Sequence, residues 1–486
     1  MTYKLRPYQE ECVKSISDYI NSDRHDPVLI VGPVGCGKSL LIAEAARLMG
    51  DKTLILQPSK ELLQQNHDKI TSYGIPATIY SASCGKKELS NMIYATLGSI
   101  KKVVGRLKEM GIRNVLIDEA HAGYSPEDGS EFMTFMNELK PSKVIGFTAT
   151  PCRLKNMSIG QTSYSQLNFI TRMRPVYFKN LIHVIQVEEM IGQGFWTPLK
   201  YETWDFNGDA LKLNSNGSEY TAESISEAVR KNGLNNLILR RLMVLKDVCR
   251  SILVFMDSVE SCNTAAEWMN AKICAGMAEV VHGGTPKKQR EAIVERFKSG
   301  GTQVVFNYSA LGTGFDHPGL DCVIVGRPTF SFSSFYQWLG RAVRIKDGKD
   351  SALVVDCCNN SSRFGDIREL SIENYKGYGW GMFIGDKLIT NIPMGDKVTK
   401  TDLDIKAAKK DRRRGLAQGV TAAPVPGRPD HPLGSMVMTF GKYCGWMLHS
   451  IPVSYFKFIN ETFDWDNDRN KEIKEYIDFL IKNNKL

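Results

Sequence analysis

A stretch near the start of the chain has the residue types and spacing of a phosphate-binding loop. Residues 32–39 (GPVGCGKS) follow an apolar run and precede a segment with helical character. The backbone at Gly35 and Gly37 can turn its N–H groups towards a polyphosphate, and the start of the helix adds positive charge. Lys38 can then reach the β- and γ-phosphates, while the Ser39 hydroxyl can ligate Mg²⁺. The stretch therefore predicts nucleotide binding.

Two carboxylates directly follow the apolar run 115–117. Asp118 and Glu119 begin the tetrapeptide DEAH, which ends at His121. Carboxylates at the C-terminal end of a parallel strand face the crevice in which such sheets bind ligands. We therefore expect Asp118 to hold Mg²⁺ and Glu119 to orient and deprotonate an attacking water. His121 has no second ligand at metal spacing nearby, which favours a coupling role over metal binding.

Two arginines stand three residues apart much later in the chain, within QWLGRAVR (337–344). On a helix, Arg341 and Arg344 would share one face. Guanidinium groups aimed across a cleft can stabilise the charge that develops on a γ-phosphoryl group. The pattern predicts that a second part of the chain completes the nucleotide site and couples hydrolysis to domain closure.

The elements that position these residues alternate between short apolar strands and helices. Such alternation indicates parallel sheets with helices on both faces. It occurs in two blocks, so we expect an α/β chain with two tandem parallel-sheet domains and a small C-terminal accessory module. The expected divisions are a nucleotide-binding domain at 1–185, a connector with a polar insertion at 186–234, a second domain at 235–372, a basic segment and Pro/Gly linker at 373–434, and the module at 435–486.

Bulk composition limits the class of protein. The 486 residues include 62 basic and 53 acidic side chains, and the net charge of +9 is compatible with a polyanionic partner. The 11 cysteines form no CxxC pair, so neither zinc nor a disulfide framework is expected. Residues 1–9 show no apolar signal-peptide region, and no apolar run approaches the ~18 residues of a membrane span. These features predict a cytoplasmic protein without a membrane partner.

In the order of its motifs, the chain resembles superfamily 2 helicases, which have two RecA-like domains, over residues 1–356. The motifs are RPYQ (6–9), GPVGCGKS (32–39), PSKEL (58–62), DEAH (118–121), TAT (148–150), GTGFD (312–316) and QWLGRAVR (337–344). The resemblance implies ATP and Mg²⁺ as cofactors, with Mg²⁺ held by Ser39 and Asp118. It also implies nucleotide contacts by Arg6, Gln9, Gly314 and Asp316, and a role for Gln337 beside the two arginines. Thr148 and Thr150 would act with His121 in coupling. Contacts with nucleic acid are implied for Pro58, Ser59, Lys60, Thr96 and Thr313.

More narrowly, four stretches resemble RadD-type bacterial repair helicases and phage branch-migration helicases. They are LRPYQ (5–9), GFTATPCRL (146–154), GFWTP (194–198) and GTGFDHP (312–318). The chain lacks the cysteine-rich zinc-binding tail of RadD-type proteins, since only Cys444 lies beyond Cys358. A phage enzyme, working in the cytoplasm of a bacterial host, is therefore the better fit within the group.

These resemblances imply an ATP-dependent DNA helicase or translocase acting on forked, branched or single-stranded DNA. Roles in recombination, repair or replication would bring replication or recombination proteins as further partners. Two alternatives remain open. One is an RNA helicase, because the sequence shows no 2′-hydroxyl reader. The other is a duplex-DNA translocase subunit that works for a nuclease or remodelling complex without separating strands.

The last segment contains FGKYCG (440–445), which resembles a small module attached to some exonucleases. The aromatic residues Tyr443, Trp446, Tyr455 and Phe458 either fill a small core or stack on bases. The basic run 406–414 is either a solvated face or a phosphate contact.

Overall fold

The computed structural model describes residues 4–50, 52–159, 162–311, 315–407, 431–436, 438, 443, 446–462, 465 and 470–485. The chain divides into two compact units. The first comprises Met1–Tyr375 with Gly379–Val398, and the second comprises Lys376–Tyr378 with Thr399–Leu486.

Eight strands form the first sheet of the first unit. They are β1 (Val28–Val31), β2 (Thr53–Leu56), β3 (Thr78–Ser81), β4 (Lys86–Lys87), β5 (Met92–Ala95), β6 (Asn114–Ile117), β7 (Lys143–Thr148) and β10 (Asn180–Val184). Their order is β10-β1-β7-β6-β2-β5-β3-β4, and every pairing is parallel except that of β3 with β4. Strands β1, β2, β5, β6 and β7 are buried at every residue because helices cover both faces.

Seven helices accompany this sheet. They are α1 (Pro7–Asn21), α2 (Lys38–Met49), α3 (Lys60–Ser72), α4 (Leu97–Ile100), α5 (Val104–Glu109), α6 (Glu131–Leu139) and α7 (Val187–Gly192). Helix α3 begins where the Ser59 hydroxyl accepts a hydrogen bond from the Leu62 backbone N–H at 3.3 Å. Strands β8 (Cys152–Ile159) and β9 (Thr162–Phe169) pair with each other in antiparallel fashion and form a separate sheet.

Six strands form the second sheet. They are β11 (Leu199–Thr203), β12 (Ile252–Phe255), β13 (Ala278–His282), β14 (Val304–Tyr308), β15 (Cys322–Val325) and β16 (Ala352–Asp356). Their order is β11-β16-β15-β12-β14-β13, and all the pairings are parallel. The helices of this half are α8 (Ala222–Lys231), α9 (Leu234–Leu245), α10 (Val259–Lys272), α11 (Lys287–Ser299), α12 (Phe332–Leu339) and α13 (Asn360–Phe364). The predicted α/β class with two tandem parallel-sheet domains is confirmed.

The second sheet begins well before the expected boundary at residue 235. Strand β11 lies inside the predicted connector 186–234 and forms the edge of the sheet beside β16, and α8 also falls within that connector. An edge strand needs only partial burial, and in β11 only Leu199 is fully buried. Because the strand lacks a continuous apolar run, periodicity could not reveal it.

The start of the predicted linker 373–434 also has regular structure. Strands β17 (Leu370–Tyr375), β18 (Gly379–Ile384) and β19 (Lys387–Leu388) form an antiparallel sheet, and a short strand, β20 (Val398–Thr399), follows. Glycines within and between these strands weaken the sequence pattern that would have predicted them. Residues 408–430, which include most of the basic run 406–414 and of the proline-rich stretch, lie outside the described residues.

The second unit has a small core of its own. Helices α14 (Val453–Thr462) and α15 (Lys471–Lys482) contribute most of it. The core residues are Met438, Leu448, Ile451, Phe456, Ile459, Ile473, Tyr476, Ile477 and Leu480. Trp446 and Phe458 are 39% and 58% exposed, so the interpretation of these two side chains as core is wrong. Among the described helices, none has both the length and the apolar character needed to span a membrane.

Candidate active site

The phosphate-loop sequence connects β1 to α2 at the C-terminal end of a central strand. Gly35 and Gly37 have φ angles of +87° and +83°, in the left-handed region that favours glycine. A Cβ atom on Gly37 would also lie only 2.6 Å from Nε2 of Gln9. Helix α2 begins at Lys38, so the backbone N–H groups of its first turn lie at the loop. The local structure is that of an anion-binding turn.

Side chains from the start of α1 support this loop. Nε2 of Gln9 donates a hydrogen bond to the carbonyl oxygen of Cys36 at 2.9 Å, and its Oε1 accepts one from the Arg6 backbone N–H at 3.0 Å. The Tyr8 hydroxyl donates to the same Cys36 oxygen at 3.2 Å. The Arg6 guanidinium lies 4.5 Å from the centre of the Phe195 ring. Gln9 and Arg6 therefore lie beside the phosphate loop, and the Gln9 amide braces its backbone.

The two carboxylates of the DEAH segment lie at the end of β6, beside the phosphate loop. Burial, reinforced by the neighbouring Glu119 charge, raises the pKa of Asp118 to about 7. The Glu119 backbone N–H donates to Oδ1 of Asp118 at 2.9 Å, and Glu119 has a positive φ of 45°. Oε2 of Glu119 is buried, lies 3.4 Å from Nδ1 of His121 and forms no hydrogen bond within the described part of the chain. Asp118 and Glu119 thus place two acidic groups close together at the end of β6, where a bound cation would offset their charge.

A buried amide joins Ser39 to Asp118. Oδ1 of Asn66 accepts a hydrogen bond from the Ser39 hydroxyl at 2.7 Å, and its Nδ2 donates to Oδ2 of Asp118 at 2.9 Å. Sequence reasoning missed Asn66. It lies on α3, between the phosphate loop and DEAH in sequence, and only the folded structure brings it to them.

The arginine segment of the second half reaches the same place. Helix α12 ends at Leu339, so Arg341 and Arg344 lie in the turn that follows it, and the expectation that they share a helical face is wrong. A Cβ atom at Gly340 would lie 2.4 Å from the Val34 side chain, so a glycine is needed for this close approach to the phosphate loop. The turn, rather than the helix, presents the guanidinium groups.

Each arginine has a partner within the second half. Nη1 of Arg341 donates to the Phe315 carbonyl oxygen at 2.6 Å. Burial, with a contribution from neighbouring Arg344, lowers the pKa of Arg341 to about 10, so its guanidinium remains charged at neutral pH. Nη1 of Arg344 lies 3.3 Å from Oδ1 of Asp316.

A cavity of about 130 Å³ brings the two halves together at this point. Most of the predicted catalytic and nucleotide-binding residues line it. From the first half they are Gly35, Gly37, Lys38, Ser39, Asp118 and Glu119, and from the second half they are Asp316, Gln337, Arg341 and Arg344. Gly314 lies outside the described residues.

The predicted coupling residues form a hydrogen-bonded network that crosses between the halves. Nδ1 of His121 lies 2.8 Å from Oγ1 of Thr148, which also accepts the Thr150 backbone N–H at 3.0 Å. Ser333, on α12 of the second half, lies 3.2 Å from Nε2 of His121 and 3.1 Å from Oγ1 of Thr150. Burial lowers the pKa of His121. Sequence reasoning did not single out Ser333.

Two consecutive connector residues provide a further attachment. The Trp196 indole N–H donates to the Val34 carbonyl oxygen at 2.8 Å, and the Thr197 hydroxyl donates to the Arg344 carbonyl oxygen at 2.7 Å. Their stretch, GFWTP, stood out only through a family resemblance and carried no predicted role.

Four of the five predicted nucleic-acid contacts lie at the carboxyl ends of two neighbouring strands of the first sheet. Pro58, Ser59 and Lys60 follow β2, and Thr96 follows β5, which is the parallel neighbour of β2. Lys60 is exposed, whereas the hydroxyl of Thr96 is within 3.2 Å of the Ser81 and Ser99 hydroxyls. Thr313 lies outside the described residues.

Comparison with known families matches two models to this chain. Residues 2–153 match "Type III restriction enzyme, res subunit", and residues 235–346 match "Helicase conserved C-terminal domain". The two matches fall on the two halves that contribute to the cavity.

Individual relatives agree with these family matches. The chain is 25% identical over 332 residues to a 51.5 kDa protein of a Lactococcus phage, covering 68% of this chain and 65% of the relative. It is 24% identical over 378 residues to the putative ATP-dependent helicase IRC3 of Saccharomyces cerevisiae, covering 74% and 52%. The chain thus spans between half and two thirds of the length of these relatives.

Among solved structures, the fold is similar to that of the ATP-dependent Type ISP restriction-modification enzyme LlaBIII bound to DNA. The TM-score is 0.54 at 14% identity, and the similarity covers 86% of this chain and 30% of that enzyme.

Proposed function

Because the chain belongs to superfamily 2 of the helicases, we propose that it is an ATP-dependent DNA helicase or translocase that acts on forked or branched DNA. The observation that supports this best is the shared cavity, in which Lys38 and Asp118 of one half face Arg341 and Arg344 of the other. Hydrolysis at such a site changes the contacts between the halves, and repeated closing and opening would move a strand.

Nucleotide binding would rely mainly on the first half. The loop backbone and Lys38 would hold the β- and γ-phosphates. Arg6 and Gln9 would lie on the adenine side of the loop. Ser39 and Asp118 would hold Mg²⁺, and they fit that cation because oxygen ligands suit it and the buried Asp118 carboxylate lacks a full counter-charge. When bound, Mg²⁺ neutralises charge on the phosphates.

The chemical step would use residues of both halves. Glu119, with a buried carboxylate oxygen that has no hydrogen-bond partner in the described structure, would accept the proton of the attacking water. Arg341 and Arg344 would stabilise the charge on the transferred phosphoryl group, with Gln337 beside them. The hydrogen-bond network from His121 to Ser333 would couple closure of the cavity to movement of the two halves relative to each other.

Nucleic acid would bind at the carboxyl ends of β2 and β5, where residues 58–60 and Thr96 lie. Contacts there would be to backbone phosphates, with little sequence preference. The net charge of +9 supports a polyanionic partner. The narrower resemblance to RadD-type and phage branch-migration helicases remains a prediction.

A direct test is strand separation by the purified chain on forks, flaps, four-way junctions and blunt duplexes, with ATPase rates measured on DNA and RNA. We expect DNA to stimulate hydrolysis and forked or branched substrates to be unwound, with Lys38→Ala inactive in both assays. Stronger stimulation by RNA would contradict the DNA assignment.

A second candidate function is supported by one specific observation. The family model that matches residues 2–153 is described as the res subunit of a type III restriction enzyme. LlaBIII, whose fold is similar, is a restriction-modification enzyme. Translocation along duplex DNA without strand separation is therefore the main alternative. Displacement of a triplex-forming strand, without unwinding of any fork, would favour it.

A further inference from the structure

The Asn66 side chain lies at the centre of a buried hydrogen-bond network between α2, α3 and the end of β6. Asn66 is 4% exposed. Its oxygen accepts the Ser39 hydroxyl at 2.7 Å, and its nitrogen donates to Asp118 at 2.9 Å and to Oε1 of Gln57 at 3.1 Å. Both amide protons are thus used. The reverse orientation of the amide would place its oxygen against the Asp118 carboxylate, so this contact fixes it.

These contacts leave the proposed magnesium ligands able to bind a cation. The Ser39 hydroxyl points its proton at Asn66, which leaves lone pairs of its oxygen free to face elsewhere. Oδ2 of Asp118 receives the Asn66 N–H, and Oδ1 receives the Glu119 N–H. A carboxylate can accept such bonds and still ligate a cation, because each oxygen carries more than one lone pair. Asn66 therefore sets the orientation of both groups.

Asn66 is connected in two ways to the predicted nucleic-acid contacts, residues 58–60 and Thr96. Gln57 directly precedes Pro58, and its backbone N–H donates to the Ala95 carbonyl oxygen beside Thr96. Asn66 also shares α3 with Lys60, six residues earlier and so less than two helical turns away. A movement of residues 58–60 would be transmitted to Asn66 by helix α3 and by the Gln57 side chain.

We propose that Asn66 is a positioning residue through which bound nucleic acid adjusts the two magnesium ligands. This role rests on the proposed function. A strand bound at residues 58–60 moves the start of α3 and Gln57, and Asn66 passes the movement to Ser39 and Asp118. Nucleic acid then stimulates hydrolysis by improving the placement of these ligands, rather than by adding a catalytic group. Groups that orient metal ligands in this way typically affect metal affinity by about 10- to 100-fold.

Two substitutions test the role in metal binding. Asn66→Leu keeps the branched shape and the number of side-chain heavy atoms and removes all three hydrogen bonds, and Asn66→Ala removes the side chain beyond Cβ. Gln64→Ala is the matched control, because Gln64 lies on the same helix and bonds Asp68 at an exposed position. The measurement is the affinity of the full chain for ADP by calorimetry, once with MgCl₂ and once with EDTA. We expect the Mg²⁺-dependent gain in affinity to fall about tenfold in both Asn66 variants, with affinity in EDTA within about twofold of wild type.

The role in transmission is tested by the ATPase rate with and without a saturating single-stranded oligonucleotide. We expect the ratio of the two rates to fall about tenfold in both Asn66 variants and to be unchanged in Gln64→Ala. Binding of the labelled oligonucleotide without nucleotide, followed by fluorescence anisotropy, should be unchanged in all variants.

Three outcomes would overturn the proposal. The first is a Mg²⁺-dependent gain in ADP affinity that is the same in the Asn66 variants as in wild type. The second is an ADP affinity that falls as much in EDTA as in MgCl₂ in both variants, which would make Asn66 merely structural. The third is an unchanged ratio of stimulated to basal ATPase rate in variants that have lost the Mg²⁺-dependent gain. If no nucleic acid stimulates the wild-type chain, the proposed function itself fails. The ADP measurement would still decide whether Asn66 orients the metal ligands.

Discussion

Trp196 and Val34 join the connector between the two halves to the phosphate loop. The indole N–H of Trp196 donates to the Val34 carbonyl oxygen at 2.8 Å, and Trp196 is only 2% exposed. The next residue, Thr197, donates its backbone N–H to the Val343 carbonyl oxygen at 2.9 Å and its hydroxyl to that of Arg344 at 2.7 Å. Two consecutive residues therefore fix the phosphate loop against the arginine segment.

Trp196→Phe should weaken nucleotide binding. Phenylalanine retains an aromatic ring but lacks the N–H, so the partly buried Val34 oxygen loses its donor at a cost of about 1 kcal/mol, or roughly fivefold in affinity. Titration with a fluorescent ATP analogue measures the change. Trp446→Phe, at an exposed tryptophan of the second unit, is the control. Equal affinity in the Trp196 variant and wild type would show that the contact does not support the loop.

Glu119→Gln should bind ATP but hydrolyse it very slowly. The amide keeps the size of the side chain but cannot accept a proton from water, and loss of a general base typically lowers the rate by about 10²- to 10⁴-fold. Single-turnover hydrolysis and equilibrium ATP binding are the measurements. Glu127→Gln, at an exposed carboxylate in the following loop, serves for comparison. A rate within about threefold of wild type would remove Glu119 from the proton-accepting role.

Arg344→Ala should leave ATP affinity within a few fold of wild type and abolish most turnover. The second half would then supply less positive charge to the transition state, and an arginine in such a position is typically worth about 10³-fold or more. Arg47→Ala is a suitable control, because Arg47 lies on α2 and pairs with Glu44 at the surface. Steady-state turnover together with binding affinity separates the two effects. Normal turnover would show that Arg344 does not stabilise the transition state.

The stability of the second half should fall as the pH is lowered from about 6.5 towards 4. Burial, with neighbouring lysines Lys298, Lys346 and Lys349, lowers the pKa of His317 to about 4. Between pH 4 and the ordinary pKa of about 6.5, His317 is protonated in the unfolded chain but stays neutral in the folded chain. The free energy of unfolding therefore decreases as the pH falls. Above pH 6.5 His317 should contribute no pH dependence.

His317→Gln tests this expectation. Nε2 of His317 lies 2.8 Å from the Ser251 hydroxyl, a contact that a glutamine amide can partly replace. Urea unfolding at pH 7, 6 and 5 should show a shallower pH dependence in the variant than in wild type, whereas His25→Gln at an exposed position should match wild type. An identical slope in all three proteins would assign the pH effect to other groups.

Much of the fold was predictable because the central strands are buried on both faces. β1 (VLIV), β2 (TLIL) and β15 (CVIV) are short, almost wholly apolar segments, and such segments stand out in a sequence. β11 was missed because an edge strand mixes Leu199 with exposed residues. The small β17–β19 sheet was missed because its glycines and short strands resemble a linker. The expected domain boundaries at 185 and 372 remain predictions.

The candidate site was predictable only as far as local motifs reach. Lys38, Asp118 and Arg344 each stand in a recognisable local pattern, although the pattern around Arg344 predicts a helix where the structure has a turn. Asn66 and Trp196 could not be found in this way. Asp118 lies 52 residues from Asn66 and Val34 lies 162 residues from Trp196, and a single asparagine or tryptophan carries no sign of such a contact.

The ion pair between Arg344 and Asp316 has a consequence for affinity. The Arg344 guanidinium lies against an anion of its own half, the Asp316 carboxylate. A phosphate that enters the proposed site would therefore compete with an internal carboxylate, and binding would exchange one anion for another. Such an exchange would let Asp316, acting through Arg344, tune how tightly the triphosphate is held.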